Sequence, residues 1–166
     1  MILTGQEIIK EVSRGAIFIT PFCPDQMNPN SYNYRLGKTI KVFSSFDGVS
    51  PSFEEIIIPE EGYILDPHTM YLSTTEEEIG SSEYAMSLIG RSSMGRLGLF
   101  LQVSADLGHT TSRHNWTLEL VASKAIRIYP GMVIGQVSFW ENKGNHTLYE
   151  GFYGNRNNIQ ESVIFI

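Results

Sequence analysis

The sequence predicts a mainly β protein, its strands closed into a distorted barrel or packed as a sandwich. A short N-terminal helix and one short helix after an Arg-Ser-Ser run complete it. Three observations carry this class. Apolar runs of about four to nine residues recur along the chain, most of them ended by Gly, Pro, Asn or Asp. Asn115-Trp116-Thr117-Leu118-Glu119-Leu120-Val121 alternates apolar and polar side chains as a half-buried strand does. Only residues 4–14 show a clear helical period. With 166 residues and 42% hydrophobic content, the chain can bury one core but not two ordinary ones, so 1–166 reads as one domain.

Taken in order, Thr4 is placed to cap the first helix, with Glu7 three residues on as in a capping box, Ile8, Ile9 and Val12 as its apolar face, and Gly15 as its stop. Residues 16–20 form a short buried strand, ended by Pro21 and the loop from Pro24 to Pro29. Tyr32, Tyr34 and Leu36 alternate with polar neighbours as a strand, which 39–43 continue. Residues 44–52 are a turn-rich connection, 53–58 and 62–65 short strands, 66–68 a turn and 70–74 another strand. Glu76-Glu77-Glu78 reads as a solvated loop. Residues 84–89 lead as a strand into the Arg-Ser-Ser run, and an apolar stretch, 97–103, leaves it. On strand 115–121, Thr117, Glu119 and Val121 share one face and Trp116, Leu118 and Leu120 the other. Residues 125–129 and 132–140 are the last strands, with Trp116, Phe139 and Trp140 expected in the core. From 141 the chain turns rich in Asn, Gly and Tyr, with no aliphatic cluster until 163–166.

Composition narrows the function. Twelve Lys and Arg stand against eighteen Asp and Glu, a net charge of −6, which argues against nucleic acid and anionic membranes as partners. The single cysteine, Cys23, leaves no internal disulfide and no multi-cysteine zinc site. The start carries no leader pattern and no stretch reaches membrane-span length, so a cytoplasmic protein is expected.

Against this acidic background, Gly90-Arg91-Ser92-Ser93-Met94-Gly95-Arg96-Leu97-Gly98 gathers small residues, hydroxyls and two arginines at one turn. A helix capped there by a hydroxyl would aim backbone N–H groups at one place, and the guanidinium groups add fixed positive charge, which together suit phosphate. Glu119 follows Arg96 by twenty-three residues. Alone it would be a surface carboxylate, since charged side chains mostly face water.

These landmarks resemble the dCTP deaminase family of the dUTPase superfamily. The resemblance runs from Met1-Ile2-Leu3 through 31–37, the Arg-Ser-Ser run and Thr117-Leu118-Glu119 to Pro130-Gly131-Met132 and Ile134-Gly135-Gln136. It implies a dUTPase-like jelly-roll or β-clip fold and zinc-independent deamination of dCTP, or a close relative, to dUTP and ammonia. One Cys with His68, His109, His114 and His146 dispersed does not reproduce the His/Cys/Cys signature of zinc deaminases. In the implied site Glu119 shuttles protons and Ser92 and Arg96 position base and water. The Ala105 carbonyl helps hold the water, and Thr117 and Leu118 flank the nucleotide. Arg91, Ser93, Arg156 and Gln160 hold phosphates, which carry Mg2+. Tyr149, Arg156 and Gln160 match the spacing of a C-terminal Tyr, Lys and Gln that fold over the nucleotide, making 141–166 a covering segment. A homotrimer with shared sites is implied as well.

The departures lie between Ala105 and Trp116. His109 stands where the family has an Asp against the sugar, followed there by Gly, an aromatic residue and Gly, all absent here. Losing that carboxylate weakens the case for diphosphate hydrolysis more than for deamination; Asp106 is the nearest substitute. Asn33 replaces an Asp in the early strand. His109 and His114 otherwise read as loop residues. A dUTPase-like diphosphatase, a bifunctional deaminase and diphosphatase, and a non-catalytic nucleotide-binding protein are the alternatives.

Overall fold

The computed structural model describes residues 1–48, 51–101, 105–151, 153–154 and 156–162. Helix α1 (Gly5–Arg14) begins as its sequence dictates: the Thr4 hydroxyl accepts from the Glu7 N–H at 3.4 Å, and Gly15 closes it at φ 82°. The Glu7 carboxylate pairs with Lys10 at 2.8 Å. Ile8 is fully buried and Val12, one turn on, packs against the core. Ile9, expected beside them, is exposed, because one residue rotates the side chain by about 100°.

Twelve strands follow: β1 (Ile17–Thr20), β2 (Tyr32–Arg35), β3 (Thr39–Phe46), β4 (Pro51–Ile57), β5 (Tyr63–Leu65), β6 (Met70–Ser81), β7 (Tyr84–Gly90), β8 (Leu99–Leu101), β9 (Leu107–Gly108), β10 (Arg113–Ala122), β11 (Ile126–Ile128) and β12 (Val133–Glu141). A short helix, α2 (Ser92–Leu97), lies inside the Arg-Ser-Ser run rather than after it. The fold is mainly β as expected, but the described strands form three open sheets, not one closed barrel. One runs β4-β3-β6-β10-β8, with β1 also on β6; one is β2-β12-β7-β9; and β5 pairs with β11. Their inner faces meet in a core that includes Tyr32, Tyr34, Met86, Leu118, Leu120 and Phe139, each essentially inaccessible to water.

Three sequence expectations need correction. Residues 44–52 are not all connection: β3 runs on to Phe46 and β4 begins at Pro51, paired with each other, while 49–50 lie outside the described residues. Glu76-Glu77-Glu78 is not a solvated loop: β6 runs through it, pairing Glu78 with Asn115 on one side and Thr20 on the other. Glu77 is fully buried, and Arg35 satisfies it twice, from Nε at 2.7 Å and from its backbone N–H at 2.8 Å. A carboxylate can lie this deep only with such partners. Trp140 is not core; the last turn of alternation leaves it exposed, its Nε1 donating to Ser138 Oγ at 2.9 Å. The end of the apolar run, 102–104, Asn155 of the tail and the aliphatic stretch 163–166 lie outside the described residues.

Candidate active site

β7 delivers the chain to the Arg-Ser-Ser run. The Arg91 carbonyl accepts from the N–H groups of Met94 and Gly95 at 3.0 and 3.1 Å, opening α2, and Gly98 closes it at φ 89°. A Cβ on Gly98 would stand 2.3 Å from Ser123 Oγ, so both backbone angle and space demand glycine there. The expected hydroxyl cap is absent: Arg91 occupies the cap position without a side-chain bond, and Ser92 is already the first helical residue, past the place from which a hydroxyl reaches back to the open amides. Ser92, Ser93 and Arg96 are exposed and Arg91 half-exposed; no residue of α2 is buried.

Glu119 sits on β10, in the six-stranded sheet that β8 joins after α2, not in the sheet to which β7 belongs. On β10, Leu118 and Leu120 are buried in the core while Thr117, Glu119 and Val121 face the other side, as the alternation predicts. That side opens into a cavity of about 500 Å3, a size suited to a nucleotide-scale ligand. Ala105, His109, Thr117 and Glu119 line it from the sheet and its loops. Tyr149, Arg156 and Gln160 line it from the tail. Arg91, Ser92, Ser93 and Arg96 do not line it, and the Leu118 side chain, buried in the core, leaves only its backbone available. None of the ion pairs among the described residues uses the Glu119 carboxylate.

The tail is tied to β10 and the turn before it. Tyr149 N–H donates to Thr111 Oγ1 at 2.8 Å, Asn115 N–H to Asn157 Oδ1 at 3.1 Å, and Gln160 N–H to Thr117 Oγ1 at 3.0 Å. Lys41 holds Glu161 at 2.9 Å. The Tyr149 ring stacks on His109, centroids 4.7 Å apart and planes 22° from parallel, and lies so close over Gly151 that a Cβ there would meet it at 2.2 Å. The turn that holds His109 is unusual. Ser112 N–H closes it onto the His109 carbonyl at 3.2 Å, and Thr111 takes φ 76°, left-handed backbone that a β-branched residue resists. Asp106, the nearest carboxylate to His109 in the chain, accepts from Ser87 Oγ at 2.6 Å and is not part of the cavity lining.

Comparison with known proteins fits this geometry. A family model described as dCTP deaminase-like matches residues 2–142. The chain belongs to the dCTP deaminase-like family. A dUMP-forming dCTP deaminase of Clostridium botulinum (strain Alaska E43 / Type E3) is 41% identical over 99% of this chain and 97% of its own. A dCTP deaminase of Rhodopirellula baltica is 40% identical over 99% of this chain and 84% of its own. A crystal structure of 2'-deoxycytidine 5'-triphosphate deaminase from Agrobacterium tumefaciens shares the fold, with a TM-score of 0.69 at 21% identity. The match covers 85% of this chain and 48% of that one, so this chain spans about half its length.

Sequence reasoning missed part of the wall of this cavity. His114, read as a loop residue, is on β10 and buried; its ring lies 4.2 Å from that of Trp116, and both line the cavity. Ser112 also lines it, 2% exposed. Strand alternation would not have found them: counted back from Leu118 it puts 112, 114 and 116 on the core face, and the register shift between Asn115 and Thr117, which has no sequence signal, breaks that count. Burial pushes the His114 imidazole below its ordinary value, so the ring is neutral near pH 7. Among the described residues no group of three or more His, Cys, Asp or Glu gathers as a metal-holding set, and no helix is long and apolar enough to cross a membrane.

Proposed function

We propose that this protein deaminates dCTP to dUTP and ammonia in the cytoplasm. The observation that carries the reading is Glu119: a half-buried strand carboxylate, outside the ion pairs of the described residues, on the wall of a nucleotide-sized cavity that the tail covers. In the proposed reaction Glu119 takes a proton from a water held against the Ala105 carbonyl. The water oxygen bonds to the ring carbon bearing the amine as Glu119 passes the first proton to the adjacent ring nitrogen; Glu119 then carries the proton of the new hydroxyl to the amine, and the C–N bond breaks as the carbonyl forms and ammonia leaves. Ser92 and Arg96 orient base and water, and Thr117 and the Leu118 backbone flank the nucleotide. His109 lies toward the sugar. Arg91, Ser93, Arg156 and Gln160 hold the phosphates, and Mg2+ travels on the phosphate oxygens of the substrate.

Because α2 is exposed and its side chains lie outside the Glu119 cavity of the same chain, the reading requires a neighbouring copy to bring Ser92 and Arg96 to Glu119. A homotrimer with shared sites meets that need. Exposed Phe43, Phe46, Ile57 and Phe100 on the large sheet supply apolar surface for such an interface.

A second reading, deamination with diphosphate release to give dUMP, is favoured by what the clostridial relative is called. Against it stand His109, turned onto Tyr149, and Asp106, engaged by Ser87, which leave no carboxylate at that turn to activate a second water. The test follows ammonia and pyrophosphate separately from dCTP, dUTP, dCMP and base-modified cytosine nucleotides with Mg2+. Ammonia without pyrophosphate from dCTP is expected, and Glu119→Gln should lower it about 10²- to 10⁴-fold while nucleotide still raises the melting temperature. Equal ammonia and pyrophosphate establishes the dUMP-forming reading. A melting shift without ammonia points to a silent nucleotide binder, and undiminished release by Glu119→Gln removes Glu119 from the chemistry.

A further inference from the structure

Ser112 Oγ is buried with no hydrogen-bond partner among the described residues, the one such side-chain atom among them, and Ser112 lines the cavity beside Glu119. A buried hydroxyl left unmatched costs about 1–3 kcal/mol, so a position that keeps one has a use for it. Its placement is rigid. The backbone of Ser112 donates to the His109 carbonyl at 3.2 Å, and its own carbonyl accepts from Ser81 N–H at 3.3 Å, so the side chain cannot swing away with the loop.

His114 is two residues on, at strand spacing, and lines the same cavity. Its Nδ1 lies 3.0 Å from the Asn115 carbonyl, which can only accept, so the proton of the neutral ring belongs on Nδ1 and Nε2 carries a lone pair. Packing against Trp116 holds the ring in place. Ser112 therefore offers a donor and His114 an acceptor. A ligand hydroxyl uses both groups fully, accepting from Ser112 Oγ while it donates to His114 Nε2, which a carbonyl cannot do.

We propose that Ser112 and His114 form a polar subsite of the nucleotide pocket that binds one hydroxyl group of the substrate and sets specificity through it. The subsite deepens the deaminase reading and rests on it for the identity of the nucleotide. Three hydroxyls have the required chemistry: the 3'-hydroxyl of the sugar, a 2'-hydroxyl, or a hydroxymethyl on the base.

The experiment compares dCTP with 2',3'-dideoxycytidine triphosphate, with CTP and with 5-hydroxymethyl-dCTP, in the wild type, Ser112→Ala and His114→Phe, the last keeping the contact with Trp116. Each nucleotide is measured by ammonia release and by calorimetric affinity, and each protein by its melting temperature without ligand. One nucleotide pair, differing in a single hydroxyl, should lose about tenfold of its preference in both variants, and that pair names the hydroxyl. Ser112→Ala should melt no lower than the wild type, since its hydroxyl holds nothing in the free protein. Preferences unchanged in every pair, an equal loss across all four nucleotides, or a lower melting temperature for Ser112→Ala would each overturn the subsite. Absence of ammonia from the wild type sinks the deaminase reading instead, and the affinity ratios still decide the subsite.

Discussion

Thr111 shows how one residue exchanges local strain for a long-range tie. At φ 76° a threonine is held in backbone that glycine adopts freely, at a cost of about 1 kcal/mol. What the threonine supplies is its hydroxyl, which accepts from Tyr149 N–H at 2.8 Å and pins the tail over the cavity. Thr111→Gly should therefore leave the melting temperature unchanged or raise it, while weakening nucleotide binding several-fold; a clear loss of stability would show that the side chain supports the fold rather than the tail. Arg35 works in the opposite sense. It compensates the fully buried Glu77, so Arg35→Ala should cost about 3 kcal/mol in denaturant titration, because the carboxylate stays buried without its charge partner, held only by the backbone N–H of residue 35 and by Gln26. His114 adds a pH dependence. Its folded-state pKa lies below the ordinary 6.5, with burial as the main cause and the Asn115 carbonyl and Glu78 opposing it. The unfolded chain thus binds the proton first as pH falls, so stability is full above about pH 6.5 and declines below it, toward the lowered folded value. His114→Phe should flatten that part of the stability profile.

At the scale of elements, the tail reaches the site through small residues. The Tyr149 ring occupies the space over Gly151 and Gly154 that side chains would fill. Gly151→Ala should displace the ring from His109 and raise KM about tenfold with little change in melting temperature, because the tail buries little of the core. A large loss of stability would mean that the tail is part of the fold. Much of this architecture was legible in sequence: Thr4 and Gly15 bound α1, alternation put Leu118 and Leu120 inside and Glu119 outside, and the tail's Tyr149, Arg156 and Gln160 all meet Glu119's cavity. What was not legible depended on partners distant in the chain. Glu77 looks solvated until Arg35, forty-two residues earlier, is seen beside it, and His114 looks like loop until β10 is extended back to Arg113, with Ser112 just before it. The absent hydroxyl cap on α2 turned on a one-residue offset, which propensity does not resolve.

For the whole molecule, the separation of the Arg-Ser-Ser helix from the Glu119 cavity is the organising fact. A chain with net charge −6 that exposes Phe43, Ile57, Leu97 and Phe100 has apolar surface that association can cover, against only modest charge repulsion. If each site takes Glu119 from one copy and Ser92 and Arg96 from the next, two dead variants should repair each other. Glu119→Gln and Arg96→Ala, each inactive alone, would be mixed in equal amounts, unfolded and refolded together. Random assembly leaves both residues intact in about a quarter of the sites, so about a quarter of wild-type ammonia release should return. Light scattering on the same sample would report three chains per particle. Recovery requires that the site be shared: copies with self-contained sites would stay inactive however they assemble, and a monomer in light scattering together with unrecovered activity would place the Arg-Ser-Ser run outside the chemistry of Glu119.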